Sequence, residues 1–573
     1  MICRVEGRHQ GVFRRHALAL AVVAALAAGP VSGADTLVWV GGSNGHWEVQ
    51  QNWSPVRTPS FGDQIQLGAF DTRISTGSFD IRSLQGTGRL TLSGGQLAFA
   101  DLSSIGSLDM SGGTLVNGAA LSIAGSSRWT GGRIQGMGST TFGGPLELSG
   151  SGQRHLVGTT VSLAGATTWL NGAAGGGHFH TGDGAIIENT GSFLDSTQQD
   201  AYMRNLHGGA VSSFVNRGQF LKSAKDGNST TSIEIAFFNE AGASLSVQSG
   251  TLALRRGSLL EGTLGLASST TLELGGTALH TLSGLQAGAS SGGRLLVSDG
   301  AIARMSGTNV LSGSLALGGG ALEITDGSVA VTNFAMGGGE VSGAGWLTVS
   351  GAASWTGGRM RGADPAATFF NGALTLSGSA ARQIEGRAVL MQGTSTWTNV
   401  GGGGGFEIGQ LGSLYNGGQF IDLTSVDTGF TSGQGGNGLF QSNGLYSKQG
   451  ANRVTSDVMF VSGGSLDIRS GVLALNAGSS VAGPLGIAAG AVLELSGAAP
   501  HALRNLQTGA ASGGRLTIGT GASATTDGSG SLDGNLVVLG GRLGIGEGTF
   551  STTRFEMSGG EQTGPGTLIV TGT

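Results

Sequence analysis

LDMSGGTLVNGAALSIAG (Leu108–Gly125), NFAMGGGEVSGAGWLTVSG (Asn333–Gly351) and RFEMSGGEQTGPGTLIVTG (Arg554–Gly572) are three versions of one stretch. Their methionines, Met110, Met336 and Met557, lie 226 and 221 residues apart. SSRWTGGRIQG (Ser126–Gly136) returns as AASWTGGRMRG (Ala352–Gly362), and HTLSGLQAGASSGGRLLV (His280–Val297) returns as HALRNLQTGAASGGRLTI (His501–Ile518), at these same two offsets. The chain is a tandem repeat of 221–226 residues, with the length change falling in loops between the blocks. Its units run over 110–335 and 336–556. A partial copy at 69–109 precedes them, and the start of a third at 557–573 follows.

Inside each unit a shorter pattern recurs: LTLSGG from Leu90, LELSG from Leu146, LELGG from Leu272, LTVSG from Leu347 and LELSG from Leu493. Apolar residues at i and i+2 point one way and the residue between them the other, which is strand periodicity. The outward position carries Glu147, Glu273, Glu323, Asp467 and Glu494. Strands of about four residues recur every 6–13 residues with glycine corners between them. Glycine supplies 113 of 573 residues, yet 38% are hydrophobic and no Gly-X-Y period exists, which excludes collagen and argues against disorder. Very short strands in a stacked repeat predict an all-β, right-handed parallel β-helix rather than a sandwich. Coils of roughly 20–25 residues give on the order of 22–27 turns and a rod of about 110–130 Å at about 4.8 Å per coil.

Residues 1–34 read as a cleaved signal peptide. Arg14 and Arg15 precede the apolar run Ala17–Ala28, and Ser32-Gly33-Ala34 offers small residues for cleavage. That run is short for a membrane span, so no transmembrane segment is expected after its removal. The single cysteine, Cys3, lies inside it, so the exported chain is expected to have no disulfide. The formal charge is −5 overall and −8 beyond residue 34, with only three lysines, Lys222, Lys225 and Lys448. No basic stripe exists, so nucleic acid is not an expected partner.

Residues 35–68 form a distinct opening, TLVWVGGSNGHWEVQQNWSPVRTPSFGDQIQLG, holding Trp39, Trp47 and Trp53. Bulky aromatics at the open end of a solenoid read as a cap over a raw core; a sugar-binding shelf is the competing reading. A second local pattern, N-x-G followed by an aromatic or aliphatic residue, or a near variant, places Asn189, Asn216, Asn239, Asn416 and Asn443 at corners. There asparagine is expected to take the left-handed conformation or to stack as an internal amide ladder. The opening motif and the asparagine corners resemble autotransporter passengers and filamentous-haemagglutinin-like exported bacterial β-helix proteins. The resemblance implies export from a Gram-negative-type cell, by a secretion machinery, to the outer surface or medium. Neither the translocator barrel pattern of that family nor an NPNG-type signature is read within residues 1–573.

Catalytic chemistry is weakly signalled. Charged residues are 11%, and neither a carboxylate-rich cluster nor a GGxGxDxUx calcium repeat occurs. GGGHFHTGDG contains His178, His180 and Asp183, a weak candidate for a metal site. The matching GGGGGFEIGQ of the second unit has no histidine. His280 and His501 persist between units and read as polar corner residues. Trp129 and Trp355, each followed by TGGR, are candidates either for the core or, with Arg133 and Arg359, for glycan-binding platforms. No catalytic residue and no cofactor is nominated. The expectation is an adhesin-like or structural surface protein binding an extracellular glycan or cell-surface protein along one face. The alternative is a polysaccharide-active β-helix lyase or glycosidase.

Overall fold

The computed structural model describes residues 35–572 except 172–174, 225–226, 289–290 and 400–401. The expected signal segment, 1–34, lies outside the described residues. The chain is a parallel β-solenoid of the right-handed type with about 24 turns and 60% strand. The one helical element among the described residues is a 3-10 turn at Gln50–Asn52.

The alternation read from the sequence appears directly as burial. Thr36–Trp39, Gln64–Gly68 and Arg304-bearing Ile302–Ser306 alternate exposed and buried residues along their length. Each strand is too short to enclose a core alone, so it hydrogen-bonds to the equivalent strand one coil on. Three strands make a coil. Ser103–Ile105 pairs in parallel with Leu121–Ile123, Ser107–Met110 with Ser127–Trp129, and Thr114–Asn117 with Gly132–Gln135. The fold departs from this rule at its start, where Thr36–Trp39 pairs antiparallel with Trp53–Ser54. There Trp39, Trp47 and Trp53 are buried and pack edge to face, with ring centroids 4.9 and 5.1 Å apart. Arg57 closes this end by a fork of hydrogen bonds to Asp63 at 2.6 and 2.7 Å, reaching Asp35 at 3.0 Å. Enclosed rings leave no shelf for a sugar.

At two places the corners straighten and the chain runs through all three faces as continuous strand: Thr308–Ile324 with Ser328–Ser342, and Gly530–Ile545 with Thr549–Thr563. Tracing the ladders through the first of these shows how the repeat sits on the solenoid. The face that carries Trp129 continues through Ser328–Val331 to Trp346–Val349 and Ala367–Phe370. Trp355, the counterpart of Trp129, stands instead on the next face, above Met336. The unit therefore contains a whole number of coils plus one strand, and the second copy is turned by a third of a revolution about the rod axis.

Polar columns run through the interior. Asn189, Asn216 and Asn239 end three stacked strands and are buried. Asn189 Nδ2 donates to Asn216 Oδ1 and Asn216 Nδ2 to Asn239 Oδ1, both at 2.7 Å. None of the three has a positive φ, so the expected left-handed corner is corrected: each is extended backbone whose amide points inward, and the turn is made by the residues after it. In the second unit Asn416 donates to Ser442 Oγ at 2.8 Å, and Ser442 stacks on Ser462. Asn443 is corrected likewise. It lies one residue past the strand Leu439–Ser442, is exposed, and accepts from Gln441 Nε2.

Beside this column each unit buries one ion pair. Lys222 Nζ lies 3.5 Å from Asp195 Oδ2, and Lys448 Nζ 3.9 Å from Asp422 Oδ2, with all four side chains fully enclosed. Each unit also buries an arginine without a carboxylate partner. Arg154 donates to the carbonyls of Trp129, Ser149 and Gly177, and Arg382 to those of Trp355, Ser377 and Gly404. Burial lowers both guanidinium pKa values to about 10. The TGGR motif is part of this knot. Gly132 and Gly358 both have φ +98°, and a Cβ on either would lie under 3 Å from backbone and from the preceding methionine's Cε.

Candidate functional site

Trp129 and Trp355 are buried, each indole donating to a carbonyl two residues on, of Gly131 and Gly357, at 3.1 Å. As exposed platforms for sugar rings they are corrected: the flat faces that a glycan would need pack inside the coil. Arg133 and Arg359 stand outward, because each lies next to an inward residue of its own strand, Ile134 or Met360. Arg133 reaches Gln135 Oε1 at 3.4 Å, whereas Arg359 donates to Gln383 Oε1 at 2.9 Å.

These arginines open an outward column on one face. In the first unit it reads Arg133, His155, His180, Arg204 and Glu234 on five successive strands. In the second unit the corresponding column reads Arg359, Gln383, Glu407 and Thr431. There Gln383 Nε2 donates to Glu407 Oε2 at 2.8 Å.

The first-unit column gathers four of the nine histidines. His155 Nδ1 and His207 Nε2 are 2.9 Å apart, one donating to the other. The rings of His155 and His180 meet edge to face at 5.1 Å. His180 Nε2 is 3.2 Å from the Tyr202 hydroxyl, and His178 stacks on Tyr202 at 3.8 Å. Arg204 lies over the other side of Tyr202 at 4.5 Å and is held by a fork to Glu234, both bonds at 2.6 Å. His207 is fixed by its own N–H, which donates to Thr181 O at 2.9 Å.

Partial burial, and after it neighbouring positive charge, lowers the pKa of all four imidazoles. His155 is pushed down to about 4, by desolvation first and then by His180, His207 and Arg133. His178 and His180 are lowered by burial and by neighbouring cationic groups. His207 is lowered by burial and Arg133, with Asp183 opposing.

The expected trio His178, His180 and Asp183 is thus divided. His178 and Asp183 flank opposite ends of the strand Phe179–Gly182, and Asp183 occupies an exposed left-handed turn with φ 51° beside the His207 loop. Sequence reading missed His155 and His207, though they lie 25 and 27 residues either side of His180, one coil each way. Among the described residues no three histidine, cysteine or acidic side chains are already gathered around one point.

Elsewhere the lateral surface is open. A groove of about 610 Å³ runs over Arg89, Asp109, Arg128, Glu147 and Thr168, with Arg128 paired to Glu147 at 3.2 Å. A hollow of about 450 Å³ lies beside His178, lined by Gln198, Gln199, Asp200 and Asn228. No protein-family model, no curated protein and no solved structure matches this chain.

Proposed function

We propose that this is an exported, rod-like surface protein of the autotransporter-passenger or haemagglutinin-like kind. It binds an extracellular glycan or cell-surface protein along its lateral face and does not turn it over. The observation that carries the reading is the contrast between inside and outside in the two units. Inside, Trp129 answers Trp355, Arg154 answers Arg382, and Asp195 with Lys222 answers Asp422 with Lys448. Outside, at matching positions, the first unit carries His155 and His180 and the second Gln383 and Glu407. An interior whose main aromatic and charged anchors recur, under an exterior that differs, suits a scaffold that displays side chains, since outward residues alternate with inward ones and change without disturbing packing.

Shallow open grooves favour extended ligands over small molecules, which need concave sites that enclose most of their surface. The groove over Asp109, Arg128 and Glu147 is the place where polysaccharide cleavage would occur if the protein were an enzyme. The test is to pass the purified chain over immobilised plant and bacterial polysaccharides and intact cells, and to assay the same polysaccharides for new reducing or unsaturated ends. Saturable retention with unaltered polymer supports display. Product formation that is lost in Asp109→Asn or Glu147→Gln replaces it with the enzyme reading.

A further inference from the structure

We propose that His155, His180 and His207 form a site for one divalent transition-metal ion of the zinc or copper type on the lateral face of the first unit. Imidazole nitrogen is a ligand preferred by both ions. Two imidazoles bound to a tetrahedral zinc place their nitrogens about 3.3 Å apart, from metal–nitrogen distances of about 2.0–2.1 Å. His155 Nδ1 and His207 Nε2 already face each other at 2.9 Å, so an ion enters by widening the pair by a few tenths of an ångström and turning both rings toward it, the shared proton being replaced, through solvent, by one on the donor ring's other nitrogen. His180 is the third ligand. It is the strand neighbour of His155, with its ring edge-on at 5.1 Å. It reaches the ion by turning about its side-chain bonds and giving up its 3.2 Å contact with Tyr202.

The surroundings supply what a site of this kind requires. The backbones of His155 and His180 are fixed in the ladder, and that of His207 by its bond to Thr181. Asp183 brings a negative charge close enough to act on His207, whereas Arg133, in register with His155, brings a positive one that opposes a cation. The second unit is an internal comparison, because Gln383 and Glu407 stand where His155 and His180 stand.

The experiment titrates the chelator-treated full chain with zinc or copper(II) chloride by calorimetry. Metal content after dialysis is measured alongside, and nitrogen hyperfine structure is recorded for the copper form. One saturable ion per chain is expected, with more than one nitrogen on copper and a raised melting temperature in the presence of metal. His155→Gln and His207→Ala are each expected to weaken binding more than about tenfold, by analogy with the losses seen on perturbing ligand sets. Gln383→Ala leaves binding unchanged. Arg133→Gln tightens it, an effect that a merely structural histidine cluster would not show. Circular dichroism establishes that each variant is folded. Absence of saturable binding, or binding that survives His155→Gln and His207→Ala together, overturns the proposal.

Discussion

The hydroxyl of Tyr446 donates to Asp422 Oδ2 at 3.2 Å, doing in the second unit what Thr231 does for Asp195 Oδ2 at 2.6 Å in the first. Tyr446 stacks on Phe420 as Phe220 stacks on Phe193, so the phenol brings its oxygen in on a ring the fold already uses. Val454 occupies the strand position of Thr231: Val454 pairs with Leu473 as Thr231 pairs with Leu252. One hydroxyl was exchanged for another across the core. Tyr446→Phe is therefore expected to destabilise by about 1–3 kcal/mol, the range for a buried polar group losing its partner. Tyr446→Phe with Val454→Thr should recover part of that loss. Denaturant midpoints of the single and double variants check it, and strict additivity would contradict the exchange.

The ion pair itself separates two effects. Lys448→Met leaves the Asp422 carboxyl enclosed without its cation and is expected to cost about 3–5 kcal/mol. Lys448→Met combined with Asp422→Leu should be far milder, because removing both charges removes the desolvation penalty with them. Burial already pushes Asp422 up and Lys448 down. The melting temperatures of the single and paired variants are the measurement.

The two asparagine positions give opposite expectations. Asn216 bonds to amides on both sides, so Asn216→Ala should cost about 1–3 kcal/mol by orphaning its neighbours. Asn216→Ser, which installs the residue found at Ser442, should be milder. Asn443→Ala should fall within about 0.5 kcal/mol of wild type, as exposed substitutions do. Chemical denaturation compares all three.

His280 and His501 set a pH dependence. Each Nε2–H donates to a carbonyl, Gly275 O or Ser496 O, at 3.0 Å, which leaves Nδ1 to accept from Ser258 or Ser479, also at 3.0 Å. Burial lowers both pKa values below the ordinary 6.5. The folded chain therefore binds fewer protons than the unfolded chain. Stability is complete above about pH 6.5 and is lost as pH falls beneath it, by at most about 1.4 kcal/mol per pH unit for each histidine. His280→Gln with His501→Gln should reduce the slope of melting temperature against pH between 6.5 and 5, the remainder coming from His155, His178, His180 and His207, which are lowered as well; an unchanged slope would show that these two rings do not contribute.

Period-two strands, coil length and the long duplication were legible because each is a local or translational pattern. What the sequence concealed depends on which residues stack. Asp195 and Lys222 lie 27 residues apart and meet only once the register of their coils is known. The same holds for His155, His180 and His207. Asn443 was misplaced by a single residue, enough in a strand to move a side chain from the core to the surface. The outward Arg133 and Arg359 drew attention as paired charges, whereas the enclosed pair is Arg154 and Arg382. In GQRHLVG and AARQIEG each shares the inward face with the apolar residue two positions on, Leu156 or Ile384, but the charged head itself reads as a surface group.

The extra strand in each unit limits what the rod can touch at once. The first unit's histidine column and the second unit's column with Gln383 and Glu407 point along directions about 120° apart, and at about 4.8 Å per coil they are separated by about 50 Å of length. A flat cell wall lying along one side meets one of them, never both. Two ligands held at these columns would lie on different sides of the rod, each along its own stretch of the lateral face.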